Sequence, residues 1–166
     1  MSKRITIRRA TPDDAASIVA IWQAIAAEKI YSAIDLPFSL EQEHTYLQSL
    51  SAREGIFVAE ANGNIVGFQT LDLWARFIHS MDHVGQLGTF VLHDWRGRGI
   101  GSQIAAHTLA FARASGYEKI VLFVRASNTN AQLFYTNLGF KPCGKFVRQV
   151  KIDGQYDDEI LMELFL

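Results

Sequence analysis

The sequence predicts a single mixed α/β domain over residues 1–166, with a central sheet of about seven strands and about four flanking helices. Three observations predict this class. Strand-like and helix-like hydrophobic patterns alternate along the chain, two Xxx-Gly dipeptides join strand pairs, and no repeat, low-complexity tract or proline-rich linker interrupts the sequence. Because 49% of the 166 residues are hydrophobic, one domain with a sizeable core is expected.

The first part of the chain predicts one strand and then two helices. Residues 4–10 alternate between apolar and polar side chains, as in a half-buried strand. The segment Thr11–Asp14 combines an N-cap, a first-turn proline and an acidic third position, so a helix is expected to begin there. Ser39 and Gln42 form a capping box for the second helix. The connection between these helices is unusually apolar for a loop.

The remainder of the chain predicts six strands and two helices. Asn62-Gly63 and Asp153-Gly154 tolerate positive φ and favour tight hairpin turns, so each joins two strands. Between these hairpins we expect a strand at 84–92, a helix from Ile100 to a stop at Gly116, an apolar central strand at 119–124, and a helix at 131–138.

Composition and charge limit the classes of function. The formal net charge of −1 provides no global basic surface, so no nucleic-acid partner is expected. Cys143 is the only cysteine, which excludes an intrachain disulfide and a cluster of thiolate metal ligands. The N-terminus has no apolar signal region, and no run reaches about 18 apolar residues. We therefore expect a cytoplasmic protein without a membrane-spanning segment.

Residues 96–101, "RGRGIG", lie between a predicted strand and a predicted helix. The first N–H groups of a helix lack intrahelical partners and attract anions, and glycines allow a ligand to approach the backbone closely. A Walker-type loop is excluded because no lysine follows Gly101. The dinucleotide-binding fingerprint has different glycine spacing. A phosphate site of another kind and a simple turn with solvated arginines both remain open.

A second motif follows about thirty residues later, and the pair resembles a known family. Arg96, Gly99 and Gly101 match the signature R-x-x-G-x-G of the GNAT superfamily of acetyl-CoA-dependent N-acetyltransferases. Five later residues match its motif N-x-x-A-x-x-x-Y-x-x-x-G-F: Asn128, Ala131, Tyr135, Gly139 and Phe140. The element order predicted above is also the order of that family. The resemblance implies a GNAT-like domain with a partly splayed sheet, an acetyltransferase activity, and acetyl-CoA as co-substrate.

The resemblance also implies which residues bind acetyl-CoA. Backbone groups of Thr89, Phe90 and Val91 would bond to the pantetheine arm, and a backbone amide near Val91 would stabilise the oxyanion. Asn128 would contact the cofactor arm. The pyrophosphate would be held by the amides of the glycine-rich segment, with added positive charge from its arginines; these residues are Arg96, Gly97, Arg98, Gly99, Ile100, Gly101 and Ser102. Strand packing for Phe90 and Val91 and helix capping for Asn128 are the structural alternatives.

The resemblance assigns Tyr135 as the acid that protonates the departing thiolate, although its helical spacing alone is typical of a core tyrosine. Many relatives carry a glutamate base at the position of Gln86, and an amide cannot accept that proton. The candidates for a substitute base are Glu43, His44, Asp72, His79, Asp82 and His83. Among them His83 is preferred for its position before the catalytic strand and its intrinsic pKa. His79 and His83 have no clear third ligand nearby, so no metal site is expected.

Three functions remain compatible with the sequence. The first is acetyl transfer to the primary amine of a small molecule, such as an amino acid or an analogue, by direct attack in a ternary complex. The second is acetylation of protein N-termini or lysines, and the third is acyl-CoA binding without catalysis, which Gln86 favours. A homodimer fits the family. The pocket is expected between the loop joining the first two helices, residues 73–83 and the last hairpin, where an aspartate would hold an ammonium group or Arg76 a carboxylate.

Overall fold

The computed structural model describes residues 4–166, which form one seven-stranded sheet with helices on both faces. The strands are β1 (Ile5–Arg9), β2 (Gly55–Ala61), β3 (Asn64–Leu73), β4 (Val84–Val91), β5 (Lys119–Arg125), β6 (Lys141–Ile152) and β7 (Gln155–Phe165). The helices are α1 (Ala15–Glu28), α2 (Leu40–Ser49), α3 (Ile100–Ala114) and α4 (Thr129–Asn137). This order confirms the predicted fold class and element sequence.

The sheet has the strand order β1-β2-β3-β4-β5-β7-β6. Only the central pair of β4 and β5 is parallel, whereas the other five neighbouring pairs are antiparallel. Two hydrophobic clusters cover the two faces. Side chains of α1, including Ile18 and Trp22, pack with Phe68 on one face, and side chains of α3, including Ile104, pack with Leu122 on the other. The central strands are therefore buried on both sides.

Both predicted hairpin turns are present and have the backbone conformation that their sequences favour. Asn62 and Gly63 have φ of 53° and 79°, and Asp153 and Gly154 have φ of 48° and 79°. Two successive positive φ values match the right-handed twist of the flanking strands. Local turn chemistry therefore sets both strand pairings.

The start of the first helix differs from the prediction. A single 3-10 turn occupies Pro12–Asp14, and α1 begins at Ala15. The Asp14 carboxylate accepts the Thr11 N–H at 2.8 Å and pairs with Arg8 at 2.8 Å, which holds the first turn in the tighter 3-10 geometry. The second helix begins as predicted, with a capping box in which the Ser39 and Gln42 side chains each accept the other residue's N–H.

The parallel pair of β4 and β5 is short. Pairing runs only from Val84–Gln86 on β4 to Lys119–Val121 on β5, and beyond these residues the strands separate. The opposite edge of β4 stays paired with β3 as far as Val91. The structure thus confirms the partly splayed sheet and places a gap at the centre of the molecule.

Candidate active site

The edge of β4 that faces the gap carries backbone groups that have no partner in a neighbouring strand. Antiparallel pairs alternate between residues that bond to each other and residues whose polar groups point away. Trp74 N–H bonds to the carbonyl of Val84, and Leu92 N–H bonds to the carbonyl of Val66, so the even-numbered residues of β4 bond to β3. The N–H and carbonyl groups of Thr89 and Val91 consequently point into the gap, whereas those of Phe90 are used within the sheet.

A cavity of about 870 Å³ fills this gap. Its lining runs from the glycine-rich segment, past β4 and α4, to β5 and β7. Most residues that the sequence assigned to acetyl-CoA or catalysis line it: Thr89, Phe90, Val91, Arg96, Gly97, Gly99, Ile100, Gly101, Ser102, Asn128 and Tyr135. The structure leaves Arg98 and His83 outside this lining, and none of residues 73–83 lies in it.

The glycine-rich segment has two distinct glycine requirements. Gly97 and Gly99 have φ of 69° and 74°, which side chains rarely adopt, and a Cβ at either position would meet no other atom. Gly101 instead is crowded, because a Cβ would lie 3.1 Å from the ring of Phe134 on α4 and that ring would have to shift by a few tenths of an ångström. The first amide bonded inside the helix is that of Gln103, so the preceding N–H groups of α3 are available at the cavity.

Arg96 makes contacts within the protein that the sequence did not indicate. Its guanidinium forms two hydrogen bonds with Glu28, at 2.7 and 2.6 Å, and a third with the carbonyl of Val91 at 2.8 Å. The same group lies over the ring of Tyr31. Arg96 therefore ties the end of β4 to α1, and its charge is neutralised by Glu28. The expected contribution of Arg96 to pyrophosphate binding stays a prediction, and the N–H groups at the start of α3 also carry positive potential at the cavity.

Tyr135 lies beneath the exposed edge of β4. Gln69 Nε2 donates to Thr89 Oγ1 at 2.7 Å, and Thr89 in turn hydrogen-bonds to the Tyr135 hydroxyl through both its side chain and its backbone. Burial raises the pKa of Tyr135 to about 12, although the bonds from Thr89 act in the opposite direction. Because its oxygen accepts from Thr89, the phenol keeps its own hydrogen for donation into the cavity.

The loop between α1 and α2 forms a roof over the cavity. Asn128 caps α4 by accepting the Ala131 N–H at 3.1 Å, and its amide donates to the carbonyl of Tyr31 at 3.1 Å. Arg125 donates to the carbonyl of Lys29 at 2.8 Å while pairing with Asp157. The Asn128 oxygen thus caps α4, and its amide nitrogen holds the roof. Helix capping is the structural alternative that the sequence offered for Asn128.

The structure separates the proposed bases from the cavity. Gln86 lines the cavity, but the six candidate substitutes do not. His83 is exposed at the start of β4, and only its carbonyl is used, accepting the amides of Glu118 and Lys119. Asp72 accepts a hydrogen bond from Tyr46, and Glu43 accepts one from Trp22. The last two belong to the contact between α2, α1 and the sheet.

Glu159 on β7 is a lining residue that the sequence did not single out. It lies opposite Arg125 in the β5–β7 pair, and therefore on the same face of the sheet. Burial raises the pKa of its carboxyl, and nearby Asp157 adds to this, while Arg125 opposes it. In the strand that contains Asp157, Asp158 and Glu159, successive side chains point to opposite faces of the sheet, and this alternation was the available sequence signal. Only the register with β5 shows which of these carboxylates reaches the cavity.

Two further findings concern residues 4–166 as a group. No group of three or more histidine, cysteine, aspartate or glutamate side chains there has the arrangement to hold a metal ion. Over the same residues, the helices lack the length and apolar character needed to cross a lipid bilayer.

Comparison with protein families gives a match over most of the chain. Residues 19–140 match the model of the acetyltransferase (GNAT) family. The chain belongs to this family. GNAT acetyltransferases use acetyl-CoA, so the protein is an acetyl-CoA-dependent acyltransferase, as the two sequence motifs indicated.

Relatives of known name support the assignment. An uncharacterized N-acetyltransferase of Methanocaldococcus jannaschii is 31% identical to this chain. The aligned residues make up 84% of this chain and 62% of that protein. The L-methionine sulfoximine/L-methionine sulfone acetyltransferase of Pseudomonas aeruginosa strain PAO1 is 24% identical over 97% of this chain and 94% of its own. The yncA protein of Salmonella typhimurium, solved with its cofactor acetyl-CoA, has a TM-score of 0.90 at 20% identity, covering 98% of this chain and 94% of that chain. This structural likeness confirms the GNAT fold.

The contrast between Arg96 and Arg98, the two arginines of the glycine-rich segment, can be tested by stability measurements. Arg96→Ala should lower the free energy of unfolding by about 2 kcal/mol, because it removes charge-assisted hydrogen bonds and leaves Glu28 unpaired. Arg98→Ala is the matched control and should change it by less than about 0.5 kcal/mol, since the Arg98 guanidinium is exposed over Trp95. Urea unfolding followed by tryptophan fluorescence measures both. Equal losses in the two variants would contradict a structural role for Arg96.

Proposed function

We propose that the protein transfers the acetyl group of acetyl-CoA to the primary amine of a small molecule, by direct attack in a ternary complex. One observation carries this proposal. The cavity brings together the exposed edge of β4, the N-terminus of α3 and the Tyr135 hydroxyl, and it continues without interruption to the side chains of Gln86 and Glu159. Donor and acceptor therefore have adjoining places in one continuous cavity.

The chain's own groups fit the donor in three places. The N–H groups at the start of α3 suit the pyrophosphate, because a helix N-terminus binds anions. The Val91 N–H and the Thr89 carbonyl have no partner in either neighbouring strand and suit the amides of the pantetheine arm. The phenol of Tyr135 lies next to Thr89. A pantetheine arm bound along β4 would place the thioester sulfur near this phenol. When bound, acetyl-CoA supplies an activated acyl carbon.

Tyr135 assists the departure of the thiolate. A thiol in water has a pKa of about 8.5, so a phenol with a pKa of about 12 first stabilises the departing sulfur by hydrogen bonding. Burial raises the pKa of a thiol as well, which favours full proton transfer to a sulfur that is buried in the cavity. The attacking nitrogen forms its bond to the acyl carbon as the carbon–sulfur bond breaks, the sulfur takes the Tyr135 proton, and a proton from nitrogen restores the phenol.

A small acceptor is supported by the roof of the cavity. Arg125 and Asn128 bind the backbone carbonyls of Lys29 and Tyr31 and hold this part of the lining in place, and a fixed lining suits a small acceptor better than an extended peptide. The Pseudomonas relative is named for acetylating amino-acid analogues, which also supports this class. Phe77 is 96% exposed and Val147 72% exposed, which supports a homodimer. The homodimer and the cytoplasmic location stay predictions.

The direct test is a thiol-release assay with acetyl-CoA and a panel of small amines, amino acids, polyamines and N-terminal peptides, run beside acetyl-CoA calorimetry. We expect thiol release with at least one small amine. Release with peptides alone would favour protein acetylation. Binding of acetyl-CoA without release from any acceptor would favour the non-catalytic alternative and contradict the proposal.

Tyr135→Phe tests the acid. The variant should reduce kcat about 100-fold, a typical contribution of general acid catalysis, while the Kd for acetyl-CoA stays within about twofold of the original. Tyr117→Phe is the matched control, since Tyr117 is also buried but donates to the carbonyl of Arg53 outside the cavity. Its kcat should not change. Full activity in Tyr135→Phe would exclude the phenol from the reaction.

A further inference from the structure

We propose that the acceptor is a primary amine with an aryl or other apolar body and no carboxylate, held by Glu159 and by three aromatic rings beside it. The inference rests on the proposed function and specifies its substrate class. It departs from the Pseudomonas relative, whose named substrates are amino-acid analogues. Three features of the sheet face that carries Gln86 and Glu159 lead to it.

The first feature is an unpaired carboxylate in the cavity. Among residues 4–166, Glu159 has no hydrogen-bond or ion-pair partner. The guanidinium nearest to it in the sheet register, that of Arg125, is already bound by Asp157 at 2.8 Å. Partly buried carboxylates are usually paired, because desolvation penalises an isolated charge. An ammonium group entering the cavity would supply the missing partner.

The second feature is a row of three aromatic rings on the same face, which we call the aromatic row: Trp74, Phe123 and Phe146. The ring centroids are 5.8 Å apart in both the Trp74–Phe123 and Phe123–Phe146 pairs. Phe123 lines the cavity, whereas Trp74 is 38% exposed and Phe146 is 45% exposed. Phe146 lies opposite Glu159 in the β6–β7 pair, so the row passes beside the carboxylate. An apolar body bound here would remove this aromatic surface from water.

The third feature is that, within residues 4–166, neither arginine of the cavity lining is free to bind a substrate carboxylate. Both arginines of the lining are in ion pairs, Arg96 with Glu28 and Arg125 with Asp157. Arg76, which the sequence offered for this role, lies outside the lining and binds Glu54, whose side chain is 1% exposed. Removing any of these arginines from its partner would leave a carboxylate uncompensated.

The third basic residue of the lining, His93, does not change this conclusion. It follows β4 and accepts the Arg96 N–H with its carbonyl at 3.1 Å, which places it at the glycine-rich end of the cavity. An α-carboxylate bound next to the reacting nitrogen would instead face Glu159 without a counter-charge. Like charges brought together in this way oppose binding.

The same geometry gives Glu159 a part in the reaction. The substrate ammonium transfers one proton to Glu159, which releases it to water, and the neutral nitrogen then attacks. The second nitrogen proton returns to the phenolate of Tyr135 after the sulfur has taken the phenol proton. Ammonium and acetyl-CoA thus give the amide, the free thiol and one proton, and no other reactant is required.

The test compares three acceptors with one aromatic body: 2-phenylethylamine, L-phenylalanine and L-phenylalanine amide. We expect kcat/KM for 2-phenylethylamine to exceed that for L-phenylalanine by about 100-fold, and the uncharged amide to lie within about tenfold of 2-phenylethylamine. Comparable or greater kcat/KM for L-phenylalanine would overturn the inference while leaving the proposed function intact. If none of the amines gives thiol release, both the inference and the proposed function are overturned.

Glu159→Gln provides the second arm. Removing the carboxylate should raise KM for 2-phenylethylamine and reduce its advantage over L-phenylalanine by about tenfold, because the repulsion is removed together with the attraction. Glu163→Gln is the matched control on the same strand, since Glu163 pairs with Lys119 at 2.6 Å and lies outside the lining. It should leave the ratio unchanged. An unchanged ratio in Glu159→Gln would exclude Glu159 from recognition of the ammonium.

Discussion

The separation of β4 from β5 after three residue pairs is the constraint on which the rest of the site depends. A strand inside a sheet normally bonds on both edges, and an unpaired inner edge is costly if no partner replaces the missing strand. Here the gap exposes alternate backbone groups of β4 to a cavity of about 870 Å³. Tyr135 reaches this gap from one face of the sheet and Glu159 from the other, so the groups that we propose for donor chemistry and acceptor recognition meet there.

The opening is held by contacts between segments that are distant in sequence. Arg96 and Glu28 are 68 residues apart and fix the end of β4 to α1. Arg125 and Asp157 hold the junction of β5 with the final hairpin, and Arg125 also reaches the roof. Because these arginines are paired, the unbonded N–H groups at the start of α3 are a second source of positive potential at the cavity. The ion pairs themselves hold the walls of the cavity in place.

Features set by short-range chemistry were predictable from the sequence. The turn at Gly63 follows from an Asn-Gly dipeptide, and the glycine-rich segment at Gly99 follows from a local motif. The use of Arg96 was not predictable, because its partner lies on a helix far away in the chain. Glu159 was missed for a related reason: alternation shows that neighbouring carboxylates point to opposite faces, but only the pairing of β7 with β5 decides which face meets the cavity.

Amide hydrogen exchange with and without acetyl-CoA tests most directly whether the exposed edge of β4 binds the donor. Binding should slow exchange in residues 87–91 and in residues 97–102, because backbone N–H groups in both segments gain partners. Exchange in the β2–β3 hairpin, around Gly63, should not change, since that turn is exposed and its residues lie outside the lining. Slower exchange confined to 97–102 would contradict a role for the β4 edge. Unchanged exchange in both segments at saturating acetyl-CoA would exclude the cavity as the donor site.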